Sequence, residues 1–214
     1  MKHFLSVMFL ASAVATPAAF AQKWEVGLGA GGSFFTSETI SNPAGNASAT
    51  RQPGLALSAW LDNSIGSGLL GGELRYDYEM GDLKLSSGGS STTFASRSNA
   101  VHYDFQFNFA SSEAAVRPFV EAGGGVKWYS GTGNEQVYQP LSNIAVFSDV
   151  RDTRPLVSVG GGIKFNIAKS TLLRLEVHDY LTPFPSSLIA PVPPSSVGGW
   201  FQDIVVTAGL SWGL

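Results

Sequence analysis

From residue 24 onward, apolar and polar positions alternate with period two in segment after segment, and helical periodicity is weak. Period two marks strands, because successive side chains of an extended chain point to opposite faces. The clearest case is 69–80, where Leu70, Leu74, Tyr76, Tyr78 and Met80 alternate with Gly71, Glu73, Arg75, Asp77 and Glu79. In 98–109, Val101, Tyr103, Phe105, Phe107 and Phe109 alternate with His102, Asp104, Gln106 and Asn108. The segments 117–130 and 154–167 read as copies of one pattern, Arg117-Pro-Phe-Val-Glu-Ala-Gly-Gly-Gly-Val-Lys-Trp against Arg154-Pro-Leu-Val-Ser-Val-Gly-Gly-Gly-Ile-Lys-Phe. In 171–180, Leu173, Leu175 and Val177 alternate with Arg174, Glu176 and His178. In 201–214 the apolar row is Ile204, Val206, Ala208, Leu210, Trp212 and Leu214. Two earlier segments, 24–36 and 53–61, complete a set of eight predicted strands, each long enough for the roughly 9–11 residues that a tilted membrane strand needs.

The connections alternate in length. Those near 37–52, 81–97, 131–153 and 182–199 are long and rich in Gly, Ser, Thr, Asn and Pro, and those near 62–68, 110–116 and 168–170 are short. An up-and-down barrel with long external loops, tight periplasmic turns and both termini in the periplasm has this rhythm.

Period two alone does not say which face points inward. A soluble lipocalin-like barrel buries its apolar face, and a membrane barrel turns that face to lipid. The polar faces here mix Gly and Ser with single charges of both signs, among them Glu73, Arg75, Asp77, Glu79, Asp104, Glu121, Lys127, Lys164, Arg174 and Glu176. That suits a narrow interior in which opposite charges neutralise one another. Aromatics sit near strand ends on the apolar face: Trp24, Phe34, Tyr78, Phe109, Trp128 and Trp212. Turning Arg75, Lys127, Lys164 and Arg174 toward lipid would cost about 2–4 kcal/mol each near the midplane. Their sum of roughly ten rivals a domain's whole stability of about 5–15 kcal/mol. The reading is therefore an all-β, eight-stranded antiparallel transmembrane barrel.

Composition fits. Of 214 residues only 14% are charged, with 25 Gly, against about 25% charged in soluble domains. The net charge of -3 offers no basic surface for nucleic acid, and the absence of Cys excludes disulfides, thiol chemistry and Cys-based zinc sites. The N-terminus reads as a signal peptide over 1–21: Lys2 and His3, an apolar run over 4–14 broken by Ser6 and Ser12, then the small-x-small site Ala19-Phe20-Ala21. A barrel domain is expected over 22–214. No later run of about 18 apolar residues predicts a membrane helix.

The segment Arg117-Pro-Phe-Val-Glu-Ala-Gly-Gly-Gly-Val resembles the fifth strand of the OmpA/OmpX-type outer membrane barrel domain family, and Leu173-Arg-Leu-Glu-Val-His-Asp-Tyr180 resembles its seventh. Val206-Thr-Ala-Gly-Leu-Ser-Trp-Gly-Leu214 is similar to the C-terminal β-signal read by the barrel assembly machinery, with Leu210, Trp212 and Leu214 facing lipid. The usual last residue of that signal is Phe, and here it is Leu214. The resemblance implies export to the outer membrane of a Gram-negative-type bacterium, with outer membrane lipids and lipopolysaccharide as surroundings. It also implies periplasmic chaperones during biogenesis, and a monomer. The peptidoglycan-binding domain of OmpA has no counterpart in the sequence and is not carried over.

Glu73, Arg75, Asp77, Glu121, Lys127, Lys164, Arg174 and Glu176 are expected to form a charge network filling the lumen, either as a structural plug or as a gated ion path. His102 and His178 read as lumen histidines; a lipid A-modifying site of Ser/His/acid type would have to face lipid at the outer rim. Asp149-Val-Arg-Asp152-Thr-Arg154 reads as a loop with local ion pairs or a lipopolysaccharide contact. Asn46-Ala-Ser48 is a weak glycosylation pattern. The last long connection holds Leu188, Ile189, Val192 and five prolines, so it is stiff and apolar and suited to packing on the rim or to binding a surface. No cofactor and no metal ligand set is expected. The expected role is structural or interactive, through mobile surface loops; a small passive channel and a lipid A-modifying enzyme are the alternatives.

Overall fold

The computed structural model describes residues 22–43, 45–133 and 139–214. The expected signal peptide, 1–21, lies outside the described residues. Fourteen strands follow in order: β1 (Gln22–Phe35), β2 (Glu38–Ile40), β3 (Ala47–Arg51), β4 (Gly54–Ile65), β5 (Leu70–Met80), β6 (Leu83–Ser87), β7 (Ser90–Phe94), β8 (Ser96–Asn108), β9 (Val116–Gly131), β10 (Ala145–Phe147), β11 (Arg151–Ala168), β12 (Thr171–Pro183), β13 (Ile189–Pro191) and β14 (Trp200–Gly213). Eight of them close a barrel in the order β1-β14-β12-β11-β9-β8-β5-β4. The seam joins the first strand to the last, antiparallel, from Glu25 opposite Gly213 to Phe35 opposite Asp203. Closure leaves no strand edge unpaired, which is how a sheet satisfies its backbone in hydrocarbon.

The alternation does what the pattern predicts. Leu28, Leu57, Leu74, Phe105, Val120, Val159, Leu175 and Val206 are exposed on the outside, and their neighbours in sequence are turned inward. On β8 the outward row from Val101 to Phe107 is uncharged, and so is that on β14 from Ile204 to Trp212. Trp24, Phe109 and Trp212 mark the end near the short turns; Phe34 and Trp200 mark the other.

The second predicted strand is longer than expected. β4 runs on to Ile65, so the turn begins only there, with Gly66 and Gly68 at φ of 61° and 86°. Asp62 and Ser64, expected in the turn, are therefore inward strand residues.

The long connections differ most from expectation. They are not loose loops. The first two pair into a four-stranded sheet, β2-β3-β6-β7, and the last two into a two-stranded sheet, β10-β13. A Gly88-Gly89 turn, with φ of 55° and 84°, joins β6 to β7; a two-residue hairpin needs positive φ at both positions, and glycine supplies it without strain. Beside the two sheets, the first and last connections also meet at an isolated bridge between Ser41 and Ser196. Between them lies an apolar core that includes Ile40, Leu83, Leu85, Phe94, Ile144, Phe147, Leu188 and Ile189, continued down to Tyr129, Phe184 and Phe201 at the barrel rim. The proline-rich connection thus packs on the rim, with Leu188 and Ile189 fully buried. These elements form a folded cap over the end of the barrel opposite the short turns.

Candidate functional site

The barrel interior is a column of buried charge. Leaving aside the Asp152–Arg154 pair at the rim, the described residues place nine carboxylates there: Glu25, Asp62, Glu73, Asp77, Glu79, Asp104, Glu121, Glu176 and Asp203. Six permanent cations face them: Arg51, Arg75, Arg117, Lys127, Lys164 and Arg174. His102 and His178 complete the set, buried to 1% and 0% exposure.

The pairs form three tiers. At the end near the short turns, Arg117 donates to Glu25 at 3.1 Å, and Lys164 donates to Asp62 and, at 2.9 Å, to Gln106. In the middle, Arg75 donates to Glu176 at 2.6 Å and Arg174 to Glu73 at 2.6 Å. Each arginine also meets the other's carboxylate: Arg75 lies 3.2 Å from Glu73, and Arg174 contacts Glu176. Toward the cap, Lys127 is held by Glu79 at 2.8 Å and by Asp203, and Arg51 reaches down from β3 to Ser98 and lies 3.5 Å from Glu79. An isolated buried charge is costly, and interlocked pairs keep that cost tolerable.

Aromatic rings flank the middle tier. The Arg174 guanidinium stands 4.6 Å from the Trp60 ring centroid and 5.1 Å from that of Phe119, and Arg75 lies 5.2 Å from Trp60. Inward glycines make room for the indole: a Cβ on Gly29 would meet Trp60 at 3.0 Å, and Gly27 and Gly209 also face it.

Beside the arginines lies a second cluster. Tyr180 donates its hydroxyl proton to Asp77 at 2.6 Å, while His102 Nε2 and His178 Nδ1 approach the same hydroxyl oxygen at 3.0 and 3.3 Å. The opposite ring nitrogens face carboxylates: His102 Nδ1 is 3.0 Å from Asp104, and His178 Nε2 is 2.8 Å from Glu121. Glycine again decides who meets whom. Gly160 of β11 stands opposite both Glu121 and His178 in the register, and lacking a side chain it lets them touch across it. A Cβ there would meet the His178 ring at 3.0 Å.

No family model matches the chain, and no curated protein matches it by sequence. Its fold does match solved structures. Neisserial surface protein A superposes with a TM-score of 0.55 at 11% identity, over 88% of this chain and 96% of that one. Outer membrane protein OprG of Pseudomonas aeruginosa gives 0.55 at 13% identity, over 91% and 96%. A major outer membrane protein of Thermus thermophilus gives 0.52 at 17% identity, over 91% and 100%. The fold is that of an OmpA/OmpX-type outer membrane barrel.

In this barrel the eight residues expected in the lumen all point inward and are buried. They are not one cluster. Glu73, Arg75, Asp77, Arg174 and Glu176 interlock, Glu121 joins through His178, and Lys164 joins through Asp62, which also faces Arg174, but Lys127 serves a separate tier toward the cap. Trp60, Tyr180 and Asp203 were missed as members. The alternation over 53–61 places Trp60 on the inward face, so its signal was present in the sequence. The segment 149–154 is mostly strand: Arg154 pairs with Asp152 at 2.7 Å, and Asp152 accepts the Ser187 backbone N–H at 2.8 Å, which ties β11 to the cap. Of the three residues at the C-terminus, Leu210 and Trp212 are in the outward row of β14, and Leu214 follows the strand, its N–H donating to the Trp24 carbonyl at 2.9 Å. At the open mouth by the short turns, a cavity of about 530 Å³ is lined by Lys23, Glu25, Arg117 and Lys169, among others. There the Lys23 ammonium, 3.0 Å away, holds the exposed Glu113 carboxyl below the usual carboxylate range.

Proposed function

We propose that the protein is a non-enzymatic, monomeric outer membrane barrel whose lumen is a structural plug and whose role in envelope integrity or surface contact is carried by its folded cap. The carrying observation is the contrast between the two ends of the molecule's chemistry: every tier of the lumen is closed by paired side chains, while the four long connections are gathered into one apolar-cored body. A surface that must be recognised gains from being held in one shape. The same reading has the 1–21 segment removed on export, and Leu210, Trp212 and Leu214 presented to the assembly machinery as the β-signal. His178 lies in the lumen rather than on the lipid-facing rim, which speaks against a lipid A-modifying site.

The test is a pair of measurements on the purified barrel and on cells. In planar bilayers the protein shows no steady open state. In cells lacking it, outer membrane permeability to an apolar dye rises, and a Leu188→Asp variant, which disrupts the cap core, does not restore it. A stable ohmic channel, or full rescue by that variant, overturns the proposal.

One observation favours the channel reading. Arg75, Arg174, Glu73 and Glu176 form a square in which each arginine already touches both carboxylates, so partner exchange needs only small rotations. A gate of this kind predicts that neutralising Glu121 and Arg174 changes conductance. Unchanged conductance counts against it.

A further inference from the structure

In the histidine cluster, neutral rings would set bare nitrogen lone pairs against carboxylates, a clash that either a second ring proton or a bound ion relieves. A carboxylate only accepts, so the single Tyr180 hydroxyl proton is committed to Asp77. The ring nitrogens that touch the Tyr180 oxygen, His102 Nε2 and His178 Nδ1, must then carry N–H groups and donate to it. In neutral rings this leaves His102 Nδ1 and His178 Nε2 as bare lone pairs, each facing a carboxylate oxygen at 3.0 or 2.8 Å. Neither approach is aligned as a hydrogen bond, and both nitrogens and Glu121 Oε1 are buried without a hydrogen-bond partner, while Asp104 Oδ2, the oxygen that faces His102, accepts from Ser158. Lone pair against lone pair, at that distance and out of water, is repulsive.

We propose that His102, Asp104 and His178 bind a divalent first-row transition ion of the Zn2+ class inside the lumen, with Glu121 beside it. One donor atom from each of the three residues lies within 4.8 Å of the others. The 3.0 Å separation of His102 Nδ1 from Asp104 suits shared coordination. Two ligands about 2.0–2.2 Å from one ion, at angles between a right angle and the tetrahedral value, stand roughly 2.9–3.4 Å apart, with the ion off the line that joins them. The unaligned contact has that shape. Side-chain rotation draws the third ligand in. Two imidazoles and carboxylates select a borderline ion such as Zn2+ rather than Mg2+ or Ca2+, which prefer all-oxygen sets. The partners behind the ligands are in place too: Tyr180 holds both rings by their far nitrogens, and Ser158 donates to Asp104 at 3.0 Å. Nine carboxylates face six permanent cations and two histidines, so the formal charge leaves room for a dication when the rings are neutral.

The experiment uses tag-free protein refolded from urea into detergent with equimolar Zn2+ or Co2+ and then desalted. Folding is read by heat-modifiable gel mobility, metal content by elemental analysis, and ligands by X-ray absorption. One ion per chain is expected to survive desalting, with two imidazoles in its shell; His102 and His178 are the histidines among the described residues. His102→Gln, Asp104→Asn and His178→Gln lose the ion. Tyr180→Phe binds it roughly tenfold to a hundredfold more weakly. Where a variant does not fold, the absorption spectrum of the unmodified protein decides alone. A folded protein without metal overturns the proposal and assigns the pocket to two extra ring protons. So does an all-oxygen shell, or retention of the ion by the folded histidine variants.

Discussion

Arg174 offers the sharpest test of how the lumen is held. It donates to Glu73 at 2.6 Å, contacts Glu176, stands 3.5 Å from Asp62 and lies against the Trp60 and Phe119 rings. Arg174→Met keeps most of the length and the apolar contact but removes the charge. Breaking a buried pair from one side costs about 3–5 kcal/mol. Each stranded carboxylate keeps another cation, since Glu73 and Glu176 retain Arg75 and Asp62 retains Lys164. The expected cost is therefore at the lower end, about 3 kcal/mol, or roughly two decades in the unfolding equilibrium. Reversible urea unfolding in lipid vesicles, followed by tryptophan fluorescence, measures it. A double variant with Glu73→Gln completes a cycle and is expected to lose clearly less than the two singles together, because the carboxylate left uncompensated is gone. A cost of Arg174→Met under about 1 kcal/mol, or strict additivity of the double, would refute the claim that this pair is energetically coupled.

Other outcomes follow from the same geometry. Gly160→Val, which pushes a side chain into the His178 ring, is expected to destabilise the barrel by about 1–3 kcal/mol in the same unfolding assay. Leu85→Ala in the cap core is expected to cost about 2–5 kcal/mol locally; it makes the cap sensitive to protease on intact cells while heat-modifiable mobility of the barrel is unchanged. Leu214→Phe is expected to assemble at least as well as the native chain, read as the folded fraction in outer membrane preparations.

The barrel was legible because its signal is geometric. One face must suit lipid and the other a narrow polar interior, so every barrel strand carries a strong contrast between neighbours, as in Tyr76-Asp77-Tyr78-Glu79. The cap was hidden because its contrast is weak. In Ala47-Ser-Ala-Thr-Arg51 two of the buried side chains are alanines and the third is a charged arginine, so no apolar row stands out, and the flanking Gly and Ser read as loop. Its core gathers residues from distant connections, Ile40 and Leu188 among them, that no local pattern announces. The inward direction of His102 and His178 followed from parity, but their meeting did not. It depends on the stagger of the barrel, and the contact of His178 with Glu121 depends on Gly160 leaving a gap across a third strand; neither is written in any single segment.

The cap strands also set a rule for how the exposed end of this protein can change over generations. Along β3, β6 and β7 alternate residues are buried, Ala47 and Ala49 or Leu83 and Leu85 in the shared core and Arg51 against Glu79 and Ser98 below it. Only the residues between them are free to be exchanged without loosening all four connections. Variation under pressure from antibodies or phage is therefore expected as single substitutions at every second position. An insertion of one residue would turn the whole strand over, and an antibody raised against the intact surface would recognise a patch assembled from several connections rather than any one peptide.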